Sequence, residues 1–276
     1  LFNNFVNDIK FSNNKVLAFA PEYINNGNIN TNVNSRNKSL NPLKFTEKEV
    51  ESISKIFNTS ILTGRNANYT NFLKLSKDFD IVHLAMHAEV DDKQPLNSKL
   101  LFSNFDNSSI GEKQVTVADI YNMDINSKLL VLSACNTGKG KIRNGEGTLS
   151  LARAFMYAGC KSIVMTLWSV EDESSSVLME SFYKNLNKGY TKAKALQLAK
   201  VEYLKNNPPS KTHPYFWAGF IPVGDQEPVA KSSKTDINWA FIFIVAGVGF
   251  GLTPIFTNRK IKRSIRRKLR SRMLIK

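Results

Sequence analysis

Cys135 ends a strand-like segment of this sequence and could act as a nucleophile. Residues 128–138 read Lys-Leu-Leu-Val-Leu-Ser-Ala-Cys-Asn-Thr-Gly, so an apolar run precedes the cysteine and turn-forming residues follow it. The run predicts a strand buried on both faces. Because open α/β sheets bind ligands at the carboxyl ends of their strands, the thiol is placed where a nucleophile is needed. From this strand alone, an inert core cysteine is the better interpretation.

His87 ends a second segment of the same design. Residues 80–87 read Asp-Ile-Val-His-Leu-Ala-Met-His, which predicts another buried strand that finishes on a polar residue. If both strands end at one sheet edge, His87 could take the proton of Cys135 and later protonate a leaving amine. Only the fold can bring these two distant residues together. His83 would lie about 13 Å back along the strand, so we predict a core or rim histidine.

Five motifs, taken together, resemble a known family. They are His-Leu-Ala-Met-His up to His87, Leu-Ser-Ala-Cys-Asn-Thr-Gly around Cys135, and residues 145–148, 167–172 and 213–220. Their order and spacing are similar to those of the CHAT domain, which groups with the caspases and separases. The resemblance covers about residues 15–224. It implies a caspase-like cysteine peptidase acting on protein or peptide substrates, with Cys135 and His87 as the catalytic dyad, and it overrides the core interpretation of Cys135.

The resemblance also implies an oxyanion hole and a specificity pocket. The backbone N–H groups of Cys135 and Ala88 are the expected oxyanion donors. The family usually has glycine after this histidine, and alanine resists a positive φ, so Ala88 puts the oxyanion hole in question. Asp172 is similar to the separase acid that binds a basic P1 side chain through a charge-assisted pair. The alternative for Asp172 is an N-cap of a helix at Ser174. No metal or cofactor is expected.

Strands alternate with helices between residues 15 and 225, which predicts an α/β fold with a mainly parallel sheet flanked by helices on both faces. The caspase-like version is what the resemblance implies. Thr46 followed by Glu49 predicts a capping box at the start of one helix, and Cys160 is expected to be a core residue at the start of a strand. The predicted strands are 15–21, 61–64, 80–87, 98–103, 128–135, 161–167 and 216–223, and the predicted helices are 46–57, 69–79, 116–121, 148–157, 172–186 and 191–204.

The basic charge of the chain is local. The sequence has 38 Lys and Arg against 23 Asp and Glu, but residues 257–276 hold ten of the basic residues and no acid. The body is therefore not a nucleic-acid binder. A polar linker, 226–236, is followed by twenty uncharged residues, 237–256, which predict a transmembrane helix; a buried helix is the alternative. The basic tail 257–276 has the spacing of an amphipathic helix that binds anionic membrane lipids, with a nucleic-acid arm as the rival.

Topology and function follow as hypotheses. Residues 1–14 are polar and the chain begins at Leu1, so we expect a fragment with a possible upstream repeat or regulatory region. The positive-inside rule places the tail in the cytoplasm and the CHAT-like domain in the periplasm or outside the cell; the rival is a cytoplasmic domain with a translocated tail. We predict a membrane-anchored endopeptidase. The alternatives are a catalytically silent, membrane-tethered interaction module and a purely structural membrane protein.

Overall fold

The computed structural model describes residues 12–23, 43–106, 109–133, 135–136 and 146–229, which form two sheets with helices around them. The strands are β1 (Ser12–Pro21), β2 (Phe57–Gly64), β3 (Ile81–Leu84), β4 (His87–Glu89), β5 (Lys99–Asp106), β6 (Ser109–Thr116), β7 (Leu129–Leu132), β8 (Cys135–Asn136), β9 (Ser162–Thr166) and β10 (Phe220–Gly224). The helices are α1 (Thr46–Ser54), α2 (Tyr69–Leu75), α3 (Val117–Tyr121), α4 (Glu146–Tyr157), α5 (Asp172–Asn187) and α6 (Lys192–Asn206).

The larger sheet is mainly parallel, as predicted. Its strand order is β10-β9-β7-β3-β1-β2 within the described residues. All of these neighbours pair in parallel except β10, which runs antiparallel to β9 at the edge. The central strands β3, β7 and β9 are buried at every position, and their sequences are accordingly mainly apolar.

Helices cover both faces of this sheet. Successive strand residues point to opposite faces, and the core divides accordingly into two clusters. Residues of α2, α3 and α4 share one cluster with Leu17, Val82 and Leu130. Residues of α1, α5 and α6 share the other cluster with Val16 and Ile81. The prediction of an α/β fold with helices on both faces is confirmed.

The smaller sheet carries the two candidate catalytic residues. Its strand order is β6-β5-β4-β8 within the described residues. The sequence predicted single strands ending at His87 and Cys135, and this was wrong in detail. The large-sheet strands stop at Leu84 and Leu132, and each candidate residue begins a new short strand. β4 pairs with the antiparallel strand β5 as well as with β8, and a local apolar pattern cannot reveal either partner.

Strand β6 was not predicted at all. It follows β5 as the second strand of a long antiparallel hairpin and has only β5 as its neighbour in the described sheet. Its sequence, Ser-Ile-Gly-Glu-Lys-Gln-Val-Thr, is mostly polar. An edge strand needs no apolar run, because one of its sides is not covered by another strand.

The predicted capping box at the start of α1 is wrong. Phe45 precedes the helix and provides no side-chain cap, and Thr46 Oγ1 donates to the carbonyl of Leu43 at 3.2 Å. Glu49 turns into the core instead. The helix ends at Ser54; Lys55 and Ile56 form the turn before β2, and Phe57, the last residue of the predicted helix, begins that strand.

Glu49, His83 and Tyr183 form a buried polar cluster that connects α1, β3 and α5. His83 Nε2 lies 2.9 Å from Glu49 Oε1, and His83 Nδ1 lies 3.1 Å from Tyr183 Oη. None of the three side chains is more than 1% exposed. Burial raises the pKa of the Tyr183 hydroxyl well above its usual range, and the nearby Glu49 adds to this effect. Of the two predicted positions for His83, core or rim, the structure shows the core.

The carboxyl-terminal part of the described chain ends at Val229. Val229 is buried in the core, and its carbonyl accepts a hydrogen bond from Asn14 Nδ2 at 3.1 Å. Across the ranges given above, no helix has both the length and the apolar character needed to cross a bilayer. The predicted span 237–256 and the basic tail 257–276 lie outside the described residues and stay predictions.

Glu49→Ala tests the buried cluster. It leaves the His83 imidazole buried without its acidic neighbour, so we expect the free energy of unfolding to fall by about 2–4 kcal/mol. Urea denaturation measures this change. Glu47→Ala, an exposed position in the first turn of the same helix, is the matched control and should cost less than about 0.5 kcal/mol. Equal losses in the two variants would contradict a stabilising role of the cluster.

Candidate active site

His87 and Cys135 lie directly opposite each other on paired strands. The parallel register of β4 and β8 matches His87 with Cys135 and Ala88 with Asn136. The larger sheet matches Ile81 with Leu129, so the same offset of 48 residues continues from one sheet into the other. Neighbouring strands are about 4.8 Å apart, so the two backbones are adjacent. The fold therefore brings together the two predicted residues, although the side chain of Cys135 lies outside what the structure describes.

Tyr23 holds His87 in place. The backbone N–H of His87 donates to Tyr23 Oη at 2.9 Å, and the same hydroxyl donates to the carbonyl of Leu101 at 2.8 Å. The Tyr23 and His87 ring centroids are 4.5 Å apart. Since Leu101 is the β5 partner of His87, one tyrosine fixes both the backbone and the ring of the histidine.

Sequence analysis missed Tyr23. The residue lies just beyond β1, at the carboxyl edge of the larger sheet, and is 94% buried. The sequence feature that could have predicted Tyr23 as a site residue is its position just after a parallel strand, because ligands bind at the carboxyl edge of such sheets. The contact with His87 joins residues 64 positions apart, so no local pattern reveals it.

Ala88 fits its position without backbone strain. It lies in β4, where it is matched with Leu100 on one side and Asn136 on the other. Among the described residues, only glycines have a positive φ. Ala88 therefore does not have the positive φ that would have required glycine, and alanine is compatible with this position in β4. Its role as an oxyanion donor stays a prediction.

A small pocket opens beside this strand pair. It lies among the carboxyl ends of β4, β7 and β9 and the first turns of α4. Its lining consists of five apolar side chains and two threonines, and no charged side chain of the described residues takes part: Ala88, Val90, Leu132, Thr148, Leu151, Thr166 and Trp168. The pocket thus borders both the residue after His87 and the strand that leads to Cys135.

Trp168 forms a rigid aromatic wall of the pocket. Its indole N–H donates to the carbonyl of Tyr215 at 3.0 Å. A Cβ at Gly219 would come within 2.9 Å of the ring atom Cε2 of Trp168, so glycine allows the backbone to pack against the indole. The ring is nevertheless 37% exposed. Trp168 is thus held at the rim of the pocket while part of it stays open to solvent.

The segment after β4 packs on the start of α4. Gly147 N–H donates to Asp92 Oδ1 at 3.0 Å. A Cβ at Gly147 would clash with Val90 and would come within 2.7 Å of Ser98 Oγ. The carboxylate at a helix N-terminus is electrostatically favourable. These contacts join the segment that follows His87 to the helix that carries the Thr148 wall of the pocket.

Asp172 lies at the first position of α5 and contacts α1. Glu171, not Asp172, is the residue that precedes the helix, and the helix begins two residues before Ser174. Asp172 Oδ2 accepts the backbone N–H of Phe45 at 2.8 Å. Burial raises the pKa of this carboxyl group, and the bond from Phe45 partly opposes the shift. Asp172 is not among the residues that line the pocket, and its role toward a basic substrate side chain stays a prediction.

Cys160 is a core residue, as predicted. Its side chain is 3% exposed, and Ser127 Oγ donates to its sulfur at 3.2 Å. Burial raises the pKa of the thiol to about 11. Because the thiolate is the reactive form, Cys160 is inert at neutral pH.

Two curated relatives match most of the chain but contain far more sequence. Human tetratricopeptide repeat protein 28 is 26% identical over 225 residues, which covers 70% of this chain and 9% of the relative. The mouse protein of the same name is 24% identical over 223 residues, with the same shares. The chain therefore spans about a tenth of the length of these relatives.

Several solved structures are similar to this chain. The Arg-specific cysteine proteinase gingipain R has a TM-score of 0.47 and 10% identity, covering 79% of this chain and 48% of its own. The Saccharomyces cerevisiae separase in its complex with securin has a TM-score of 0.43 and 14% identity, covering 76% and 12%. Protein GSU0716 from Geobacter sulfurreducens has a TM-score of 0.41 and 13% identity, covering 80% and 98%. At these scores the likenesses carry no argument about activity.

The assignment of the chain to a family is based on a match of its sequence to a family model. The CHAT domain matches residues 9–225, which is most of the chain and includes β1 to β10. The predicted resemblance covered nearly the same residues. The chain belongs to the CHAT domain family.

Proposed function

We propose that this chain is a cysteine endopeptidase in which Cys135 is the nucleophile and His87 the general base. The β4–β8 register carries the proposal, because it matches these two residues across adjacent strands. A nucleophile and its base must come within hydrogen-bond reach, and adjacent strands in register allow that. Tyr23 adds to the support, since it holds His87 through a hydrogen bond and a ring contact.

The proposed reaction is acyl transfer to sulfur followed by hydrolysis. His87 takes the thiol proton, and the sulfur attacks the peptide carbonyl to give a tetrahedral oxyanion. The N–H groups of Cys135 and Ala88 are the proposed oxyanion donors. The C–N bond then breaks, His87 gives the proton to the leaving amine, and a thioester remains. Water, deprotonated by His87, hydrolyses the thioester and regenerates the thiol.

Membrane attachment and topology belong to the proposal as well. Residues 237–256 would span the bilayer, and the tail 257–276 would bind anionic lipid on the cytoplasmic side. The CHAT domain would then lie in the periplasm or outside the cell. These parts derive from the sequence pattern alone.

The second candidate function is a catalytically silent interaction module. The curated relatives favour it, because they are named for tetratricopeptide repeats and this chain matches only 9% of their length. A CHAT domain inside such a protein can serve an assembly without cleaving a partner. An upstream repeat or regulatory region for this chain is consistent with the same comparison.

Alkylation separates the two functions. At pH 7 we expect iodoacetamide to modify Cys135 at least about tenfold faster in the wild type than in His87→Ala, because the imidazole promotes the thiolate. The chain has two cysteines, and Cys160 should stay unmodified because burial raises its pKa to about 11. Peptide mass spectrometry resolves the two sites.

Peptide cleavage completes this test. A peptide library should be cleaved by the wild type and by neither Cys135→Ala nor His87→Ala. Cys160→Ala is the matched control and should retain cleavage. Equal residual activity in the wild type and the two dyad variants would reject the peptidase and leave the interaction module.

Tyr23→Phe tests how His87 is held. The variant keeps the ring but removes the hydroxyl that bonds His87 and Leu101, so we expect kcat to fall about tenfold with little change in KM. The pKa read from the pH profile of kcat/KM should also move. Tyr203→Phe, which removes a buried hydroxyl bonded to Ser174, is the control and should alter neither value. Identical kinetics for the two variants would contradict the assignment.

A further inference from the structure

We propose that Asp92 is a positioning residue for Cys135: its carboxylate fixes the start of α4 and so anchors the chain that follows the cysteine. The consequence for the reactivity of Cys135 rests on the proposed peptidase function. The contacts that carry the inference form the β4–α4 junction, which consists of Val90, Asp91, Asp92, Ser98 and Gly147.

Strand β8 is too short to fix its own position. It consists of Cys135 and Asn136, which pair with His87 and Ala88 of β4. A ladder of only two residue pairs is marginal by itself, because stable pairing needs longer strands and packing. The position of Cys135 therefore depends on how the chain is anchored before and after β8.

The chain after β8 is anchored to the same segment that carries His87. Residues 137–145 connect β8 to α4, whose second residue is Gly147. The Gly147 N–H donates to Asp92 Oδ1 at 3.0 Å, and a carboxylate at this end of a helix is favourable. Both ends of the connection are thus bound close to His87. The pairing of Asn136 with β4 holds the first end, and Asp92 holds the second.

The packing at Gly147 leaves α4 little space to shift. A Cβ at Gly147 would come within 2.3 Å of Val90 Cγ1 and within 2.9 Å of the Asp91 carbonyl oxygen, so glycine allows the helix to start against this segment. The segment is itself held in place. The buried Ser98 Oγ accepts the Asp91 N–H at 3.0 Å, and Asp91 Oδ1 accepts two backbone N–H groups of the turn that follows Asp92.

Loss of this anchor should change the geometry of the nucleophile more than the stability of the fold. A nucleophile must lie about 3–3.5 Å from the atom it attacks, and a misplacement of about 1 Å can cost about 100-fold in rate. Loosening one of the two anchors should displace Cys135 by less than that, so we expect an effect of about tenfold.

Asp92→Ala in the 276-residue chain tests the inference, because it removes the acceptor for the Gly147 N–H. We expect kcat for peptide cleavage and the rate of iodoacetamide labelling of Cys135 to fall about tenfold, with KM nearly unchanged. Amide hydrogen exchange, measured by mass spectrometry, should become faster in peptides that cover β4 and β8. Asp92→Asn keeps an oxygen that can accept the same N–H and should recover most of both rates.

Thr191→Ala is the matched control. Thr191 Oγ1 accepts the Lys194 N–H at 3.3 Å at the start of α6, so this variant also removes a side-chain cap. Both variants should lower the midpoint of urea denaturation by similar amounts. Thr191→Ala should nevertheless leave the labelling of Cys135 and the exchange of β4 and β8 at wild-type values.

Hydrogen exchange separates this inference from the proposed peptidase. If the wild type cleaves no peptide and His87→Ala does not slow alkylation, the peptidase is rejected, but faster exchange of β4 and β8 in Asp92→Ala still supports the junction. Equal exchange and equal labelling of Cys135 in Asp92→Ala and Thr191→Ala would overturn the inference, whether or not the chain cleaves peptides. If Asp92→Ala unfolds by circular dichroism, Asp92→Glu replaces it. That variant keeps the charge but moves the carboxylate one methylene further from the backbone, and the same effects are expected.

Discussion

The register between β3 and β7 is the constraint on which the candidate site depends. These strands are buried on both faces, so a slip of one residue would exchange their side chains between the two core clusters and turn His83 away from Glu49 and Tyr183. After β3 and after β7 the backbone leaves the larger sheet. The new strands β4 and β8 pair with the same offset, so that His87 lies opposite Cys135. Burial of strands without any reactive group thus sets the alignment of the two candidate catalytic residues.

The sequence was enough to predict the strands before His87 and Cys135 but not the point where the chain changes sheets. Residues 80–87 and 128–135 are mainly apolar, and such a run shows burial without showing which neighbour a strand pairs with. The change happens because β5 pairs with β4 from the far side. The misplaced capping box has the same origin: Glu49 has the spacing of a cap, but His83, 34 positions on, lies 2.9 Å from its carboxylate. Long-range partners overrode local patterns in both cases.

His83 and His87 are four residues apart but differ in role, because different side chains contact them. His83 lies within the larger sheet, where Glu49 and Tyr183 contact its two ring nitrogens. A ring held on both sides has little freedom to exchange protons with a substrate. His87 lies beyond the end of that sheet, where Tyr23 accepts a hydrogen bond from its backbone N–H and contacts its ring. The end of β3 therefore separates a structural histidine from a candidate base.

Tight packing surrounds the small pocket beside β4, β7 and β9. Gly219 packs on Trp168, and Gly147 packs on the segment after His87, so neither wall can move far without a clash. Asp172, the acid that the family resemblance implies for a basic substrate side chain, is not among the residues that line this pocket. Asp172 would have to give up its bond to Phe45 and loosen the start of α1, whose Glu49 supports His83. Binding of a basic side chain by Asp172 would thus disturb the helix whose Glu49 belongs to the buried cluster between α1, β3 and α5, so the role proposed for Asp172 is linked to the stability of the larger sheet.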